Sequence, residues 1–279
     1  MARIAAATSH IRVGSGGVLL PNYSSLKLAE NYQLLEALFP VPVDLGVGRA
    51  PGGSQRTTQA LNDEKSNPRP YPQKVLDLMG FLTGNHASAS HYAGMQALPK
   101  TTHRPQPFVL GASGATAEFA AKMGLGFTFA HFINPTGTGA EAAIAYREAF
   151  ERRDFSTEPT VVVAVFAAVA DMEAEARDYA DAFHLWLVHA ESANQFERVP
   201  SLETTRAHQW TAEQLAVRRR NEGRLISGTP SQVADKLAAL GRAYGTDEVM
   251  INLMMPGEDA RLNAVTSLVA ATRQLDRAA

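Results

Sequence analysis

Six times along this chain a short apolar run gives way to a turn and then to residues with helical spacing, and that alternation permits few folds. The runs begin at Ile11, Val43, Phe108, Gly126, Thr160 and Glu248. Parallel strands need a long crossover between them, usually a helix, so strands that alternate with helices predict a parallel sheet wrapped by helices. Thr160 to Val169 (TVVVAVFAAV) is apolar almost throughout, as a strand covered on both faces must be. With 279 residues, 45% of them hydrophobic, there is enough material for a full core, and no linker, repeat or low-complexity tract interrupts the series. A closed (β/α)8 barrel needs eight strands. The expected fold class is therefore α/β, a TIM (β/α)8-type barrel lacking its first two strands, read as one domain over 1–279 with an excursion at 184–226. Arg3 to Thr8 reads as the tail of a helix with no capping residue, which places the missing units at the N-terminus, through a start set too late or a shortened chain.

The most informative stretch is Pro107 to Leu125, PFVLGASGATAEFAAKMGL. Phe108, Val109 and Leu110 form the strand, Gly111 to Gly114 the turn, and Thr116 to Met123 a helix that Gly124 stops. With Ser113 as N-cap, the first helical turn holds Gly114, Ala115 and Thr116, and no carboxylate occupies the place the helix dipole favours for one. The entrance is thus open to an outside anion such as a phosphate, although an ordinary capped turn fits the same residues. Arg49 ends the strand Val43 to Gly48, either as a solvated loop arginine or as a planar fork of donors for phosphate. Gly14, Gly16 and Gly17 give up side-chain packing where another backbone or a ligand must come close. The polar loop from Ala50 to Asn67 and the stretch Asn194 to Leu225 are candidate lids. His131, after the strand at Gly126, is a candidate catalytic group, and a packed histidine fits its pattern as well.

Several classes are excluded by composition. A net charge of −2 offers no footprint for nucleic acid or an anionic membrane, and the absence of cysteine removes disulfide and thiolate chemistry. No apolar run approaches the roughly 20 residues of a membrane span, and Met1 to His10 is not a signal peptide, so a cytoplasmic protein is expected. The eight histidines show neither H-x-H nor H-E-x-x-H spacing, and no metal site is expected. VGSGG lacks the surroundings of a nucleophile elbow.

Taken together and in order, IRVGSGGVLLPNYSSLKLAE, VDLGVGRAPG, PFVLGASGATAEFAAKMGLGFTFAHFIN and SGTPSQVADKLAALGRAYGTDEVMINLMM resemble consecutive segments of the bacterial luciferase-like flavin-dependent monooxygenases, closest to the alkanal monooxygenase-like group. The resemblance covers nearly the whole chain. It implies reduced FMN as cofactor, O2 as co-substrate, a flavin C4a-hydroperoxide, and oxidation of a small organic substrate such as an aldehyde. It also implies a flavin reductase as indirect partner and a homodimer. Carried over residue by residue, it assigns Arg49, Ser113, Thr116 and the N–H groups around Gly114 to the flavin phosphate. Gly111 and Ala112 go to the ribityl chain or ring edge, and Ala130 and His131 to the neighbourhood of the isoalloxazine. Gly16-Gly17 matches a place where the family can hold a non-proline cis peptide. The acidic, histidine-rich segment that family members carry at the end of their second strand has no counterpart here. A deazaflavin (F420)-dependent oxidoreductase and a non-catalytic flavin-binding protein or inactive truncated barrel are the alternative readings.

Overall fold

The computed structural model describes residues 1–50, 55–62, 69–87, 90–135, 137–190 and 198–278. In chain order the elements are α1 (Ala2–Ala7), β1 (Val13–Leu19), α2 (Ser25–Leu38), β2 (Val43–Gly48), α3 (Gln55–Leu61), α4 (Tyr71–Thr83), β3 (Gln106–Gly111), α5 (Gly114–Met123), β4 (Gly126–Ala130), α6 (Gly139–Glu148), β5 (Val161–Val169), α7 (Glu173–Ala190), α8 (Leu202–Ala207), α9 (Ala212–Arg220), β6 (Leu225–Gly228), α10 (Pro230–Tyr244), β7 (Val249–Leu253) and α11 (Glu258–Ala278). The chain divides into two compact units, Met1–Thr128 with Ala145–Thr160, and Phe129–Ile144 with Val161–Ala279.

In the first unit β1, β2 and β3 are parallel neighbours, with Val13 opposite Val43 and Gly48 opposite Leu110. Leu45, Val109 and Leu125 are wholly buried, and the helices cover them with small or aliphatic residues: Val75, Leu78 and Leu82 from α4, Ala117, Ala120 and Ala121 from α5. Gly124 ends α5 in the left-handed region at φ 62°, where a Cβ would come within 2.5 Å of the Glu151 carbonyl oxygen. The buried Tyr146 hydroxyl donates to the Leu125 carbonyl at 2.8 Å and accepts from the Thr160 N–H at 3.1 Å, so a polar group inside the core has both partners it needs.

In the second unit β5 is the central strand. Its Phe166 and Ala167 pair with β6 and also with β7, so those two strands take opposite edges of it. Phe166 stacks on Phe132 at 4.2 Å and meets Phe183 of α7 edge-on. At the start of α10 the Thr229 hydroxyl accepts from the Gln232 N–H while the Gln232 side chain accepts from the Thr229 N–H, a reciprocal cap announced by the Thr-Pro sequence.

All six expected strands are present, and β6 is a seventh. Four residues are too few to show a period, and Leu225–Gly228 is a strand through its ladder with β5. Helices α3, α8 and α9 stand in stretches that read as loop or excursion. No residue of α9 is buried, so an apolar stripe is absent, and its order comes from the reciprocal cap of Thr211 and Gln214 and from ion pairing of Arg218 with Asp181 on α7. Of the two candidate lids, residues 51–54, 63–67 and 194–197 lie outside the described residues.

His184 of α7 is 5% exposed, and its Nδ1 has no hydrogen-bond partner among the described residues. Burial, with the Arg218 charge nearby, lowers its pKa from 6.5 to about 4. A histidine depressed in the folded state binds a proton first when unfolded. Its contribution is therefore fully present above pH 6.5 and is lost as pH falls from there towards about 4. The loss should total about 3 kcal/mol, at 1.36 kcal/mol per pKa unit. Urea unfolding at pH 7.5, 5.5 and 4.5 reads it, and His184→Gln should flatten that part of the profile.

Candidate functional site

Arg49 and the turn Gly111–Ser113 leave the sheet side by side. β2 and β3 are parallel, Gly48 is opposite Leu110, and the chain continues from that matched pair into Arg49 on one strand and Gly111 on the next. Both belong to the first unit. The expected phosphate-binding groups are thus brought to the same end of adjacent strands by register alone.

At the second of these places Ser113 caps α5. Its Oγ accepts from the Thr116 N–H at 3.4 Å and lies 3.2 Å from the Thr116 hydroxyl. The cap engages Thr116, whereas the N–H groups of Gly114 and Ala115 have no acceptor among the described residues and point out of an exposed helix end. No acidic residue lies in the first turn. Gly111 is required by this arrangement: a Cβ there would sit 2.5 Å from Thr116 Oγ1, so any larger residue displaces the hydroxyl that lines the entrance. Gly114, by contrast, has nothing within 4 Å of a built Cβ. Ala112 is half-buried in the turn between them.

Arg49 is exposed and makes no hydrogen bond or ion pair among the described residues. Its charge acts on Tyr71, the first residue of α4. The Tyr71 hydroxyl donates to the Val47 carbonyl at 3.3 Å, and its ring lies 6.2 Å from Phe119 of α5. Burial raises the Tyr71 pKa to about 12, against a smaller opposing effect of the Arg49 charge. Tyr71 stays neutral and ties β2 to α5 without competing for the guanidinium. Sequence spacing marks Tyr71 only as a helix start, and nothing local connects it to residues 24 and 48 positions away.

Gly16 and Gly17 lie in β1, where the Gly16-Gly17 peptide is cis and the register with β2 shifts between Ser15 and Val18. A Cβ on Gly17 would stand 2.7 Å from the Gly46 carbonyl oxygen, so the strand backbones approach here as glycine spacing implies.

His131 and Ala130 belong to the second unit. Ala130, 8% exposed, ends β4. His131 Nδ1 is 3.1 Å from the Tyr244 hydroxyl of α10, and Tyr244 also packs on Phe129, 5.5 Å between centroids. Burial lowers the His131 pKa below 6.5 and raises that of Tyr244 to about 12, so both are neutral at pH 7. The contact with Tyr244, 113 residues along the chain, gives His131 a packing role that no local pattern announces. Among the described residues no cluster of three or more His, Asp or Glu could hold a metal, and no helix is long and apolar enough to cross a membrane.

Parallel strands that alternate with helices, with an arginine and a capped helix start where two adjacent strands end, define an α/β protein. The family profile described as luciferase-like monooxygenase matches residues 1–247, and the chain belongs to that family. It is 35% identical over 255 residues to the N-acetyl-S-alkylcysteine monooxygenase of Bacillus subtilis (strain 168), covering 89% of this chain and 74% of that protein. The crystal structure of apo-MsnO8 superposes with a TM-score of 0.84 at 32% identity, over 98% of this chain and 81% of that one. The oxygenating constituent of 3,6-diketocamphane monooxygenase from Pseudomonas putida, solved with FMN, shares the fold at a TM-score of 0.59 and 15% identity, over 96% of this chain and 81% of that one.

Proposed function

We propose that this chain is an FMN-dependent monooxygenase that takes reduced flavin from a separate flavin reductase in the cytoplasm and, with O2, oxidises a small organic molecule such as an aldehyde. The observation that carries this reading is the anion entrance in the first unit: uncommitted N–H groups at Gly114 and Ala115, the hydroxyl of Thr116 held over Gly111, and Arg49 leaving the neighbouring strand without an ion pair among the described residues. These groups suit a phosphate dianion, which takes charge-assisted hydrogen bonds from guanidinium and backbone donors. Arg49, Ser113, Thr116 and the Gly114 N–H would hold the phosphate, and Gly111 and Ala112 would lie along the rest of the cofactor. Gly16 and Gly17, and separately Ala130 and His131, keep the assignments that the resemblance gives them.

Bound reduced flavin supplies the two electrons with which O2 is activated, one oxygen atom passing to the substrate and the other to water. The chain's own part is to bind and orient the cofactor and to keep water from it. A thioether substrate is the second reading, favoured by the named activity of the Bacillus relative.

The test is a titration with FMN, riboflavin and F420, followed by O2 uptake and product analysis with an unrelated flavin reductase and a panel of aldehydes and S-alkyl thioethers. The expected result is FMN binding and oxygenated product beyond the reductase alone. FMN binding without product would make this a flavin-binding protein, preference for F420 would make it a deazaflavin oxidoreductase, and no flavin binding would overturn the reading.

A further inference from the structure

Register carries Arg49 and Gly111 to the same end of β2 and β3, yet it does not aim α5, whose first turn supplies the Gly114 and Ala115 N–H groups. The residues that α5 buries are Ala117, Ala120 and Ala121, and methyl groups make shallow ridges that leave the tilt of a helix loosely fixed. Tyr71 supplies a second hold. Its hydroxyl donates at 3.3 Å to the carbonyl of Val47, two residues before Arg49, and its ring lies 6.2 Å from that of Phe119. Phe119 follows Thr116 by three residues, so the two stand on one face of α5. One side chain therefore engages both the strand that leads into the guanidinium and the helix that begins at the entrance.

Tyr71 is itself held by more than its own helix. α4 has Pro70 at its N-cap and no side-chain capping bond, so its start gains no order there. Instead Lys74 Nζ donates at 2.8 Å to the Pro21 carbonyl in the turn after β1, and the Ser25 hydroxyl of α2 donates to the Lys74 carbonyl at 2.8 Å. Arg69, two residues before Tyr71, pairs at 2.8 Å with Asp77, whose side chain is 4% exposed and also accepts from Gln73 at 3.0 Å. The Arg69 guanidinium lies over the Tyr92 ring, 4.9 Å from its centroid. We propose that Tyr71 is a positioning residue of the phosphate entrance, fixing the separation between the Arg49 guanidinium and the first turn of α5; this rests on the phosphate reading given above. Tyr71 contributes position and not charge, because its hydroxyl is engaged with Val47 and burial keeps it neutral up to about pH 12. Two sets of donors that meet on one phosphate must be spaced to fit it, and a displacement of about an ångström takes one set out of hydrogen-bond range.

Fluorescence titrations with FMN and with riboflavin test this on the parent, on Tyr71→Phe and Tyr71→Leu, and on both changes in the Arg49→Ala background, with circular dichroism confirming an intact fold. Tyr71→Leu should lose about tenfold in FMN affinity, with riboflavin binding unchanged. Tyr71→Phe keeps the ring against Phe119 and loses the bond to Val47, so its FMN constant should fall between the two. In the Arg49→Ala background either change should cost much less, since residues that act through one another are not additive. A tyrosine that only packs would weaken both flavins alike, and its loss would add in full to that of Arg49. Equal losses for the two flavins, an FMN constant unchanged in both Tyr71 variants, or full additivity would overturn the proposal. If Tyr71→Leu does not fold, Tyr71→Phe carries the same comparison in both backgrounds. A parent that binds FMN no better than riboflavin is a separate failure, which removes the phosphate reading itself and this inference with it.

Discussion

Replacing Arg49 by alanine is expected to weaken FMN binding by about ten- to a hundredfold, since a hydrogen bond to a charged group contributes roughly 1.5–3 kcal/mol and each 1.4 kcal/mol is tenfold. Riboflavin, which has no phosphate, should bind both proteins equally. Folding should be untouched, because the side chain is exposed and has no ion pair among the described residues. Arg49→Lys should recover only part of the affinity, as an ammonium keeps the charge but not the planar fork. Tyr71 is neutral up to about pH 12, so it adds no negative charge that would repel the phosphate in either protein. Flavin fluorescence quenching measures both constants. An FMN constant unchanged in Arg49→Ala ends the assignment.

Gly46→Ala should be the most damaging single methyl group in the first unit. Gly46 lies in β2 between two parallel neighbours, opposite Phe108 on β3 and beside Ser15 of β1. A Cβ there would stand 2.1 Å from the Ser15 carbonyl oxygen and 3.0 Å from Leu110 Cδ1. The first obstacle is backbone, so relief requires β1 to move away from β2, breaking ladder bonds and the 2.9 Å hydrogen bond from Ser15 Oγ to the Gly46 carbonyl. The expected cost is about 3 kcal/mol, the upper end for overpacking a core. Gly48→Ala, two residues along the same strand, has nothing within 4 Å of the new methyl and should stay within about 0.5 kcal/mol of the parent. Urea unfolding of the pair separates the two; equal stabilities would show that β1 and β2 do not approach so closely.

Much of the candidate site was legible because its signals are local. A serine cap, small uncharged residues in the first helical turn and an arginine just past a strand can each be read within a few positions, and Ser113, Gly114, Thr116 and Arg49 are placed as those readings require. The requirement for glycine at 111 was not legible, since it comes from the side chain of Thr116 folding back over it. Tyr71 and Tyr244 were invisible as site residues for a different reason: each acts on partners distant in sequence, Val47 and Phe119 for one, His131 and Phe129 for the other. For His131 the strand position leaves a reactive and a packed histidine equally open, and the group that bears on the choice, Tyr244, lies 113 residues along the chain.

By itself, then, the amino-acid order determined the strand–helix alternation, the caps at Ser113 and Thr229, the stop at Gly124 and the glycine content of β1, because each depends on backbone preferences or on periodicity within one element. Tertiary structure decided the rest. Whether Leu225–Gly228 is a strand, whether the polar residues of α9 form a helix and which way His131 turns all depend on what lies alongside. A hydrogen-bonded ladder or a buried hydroxyl needs a partner, and the partner's position is set by the packing of the whole unit rather than by its neighbours in sequence.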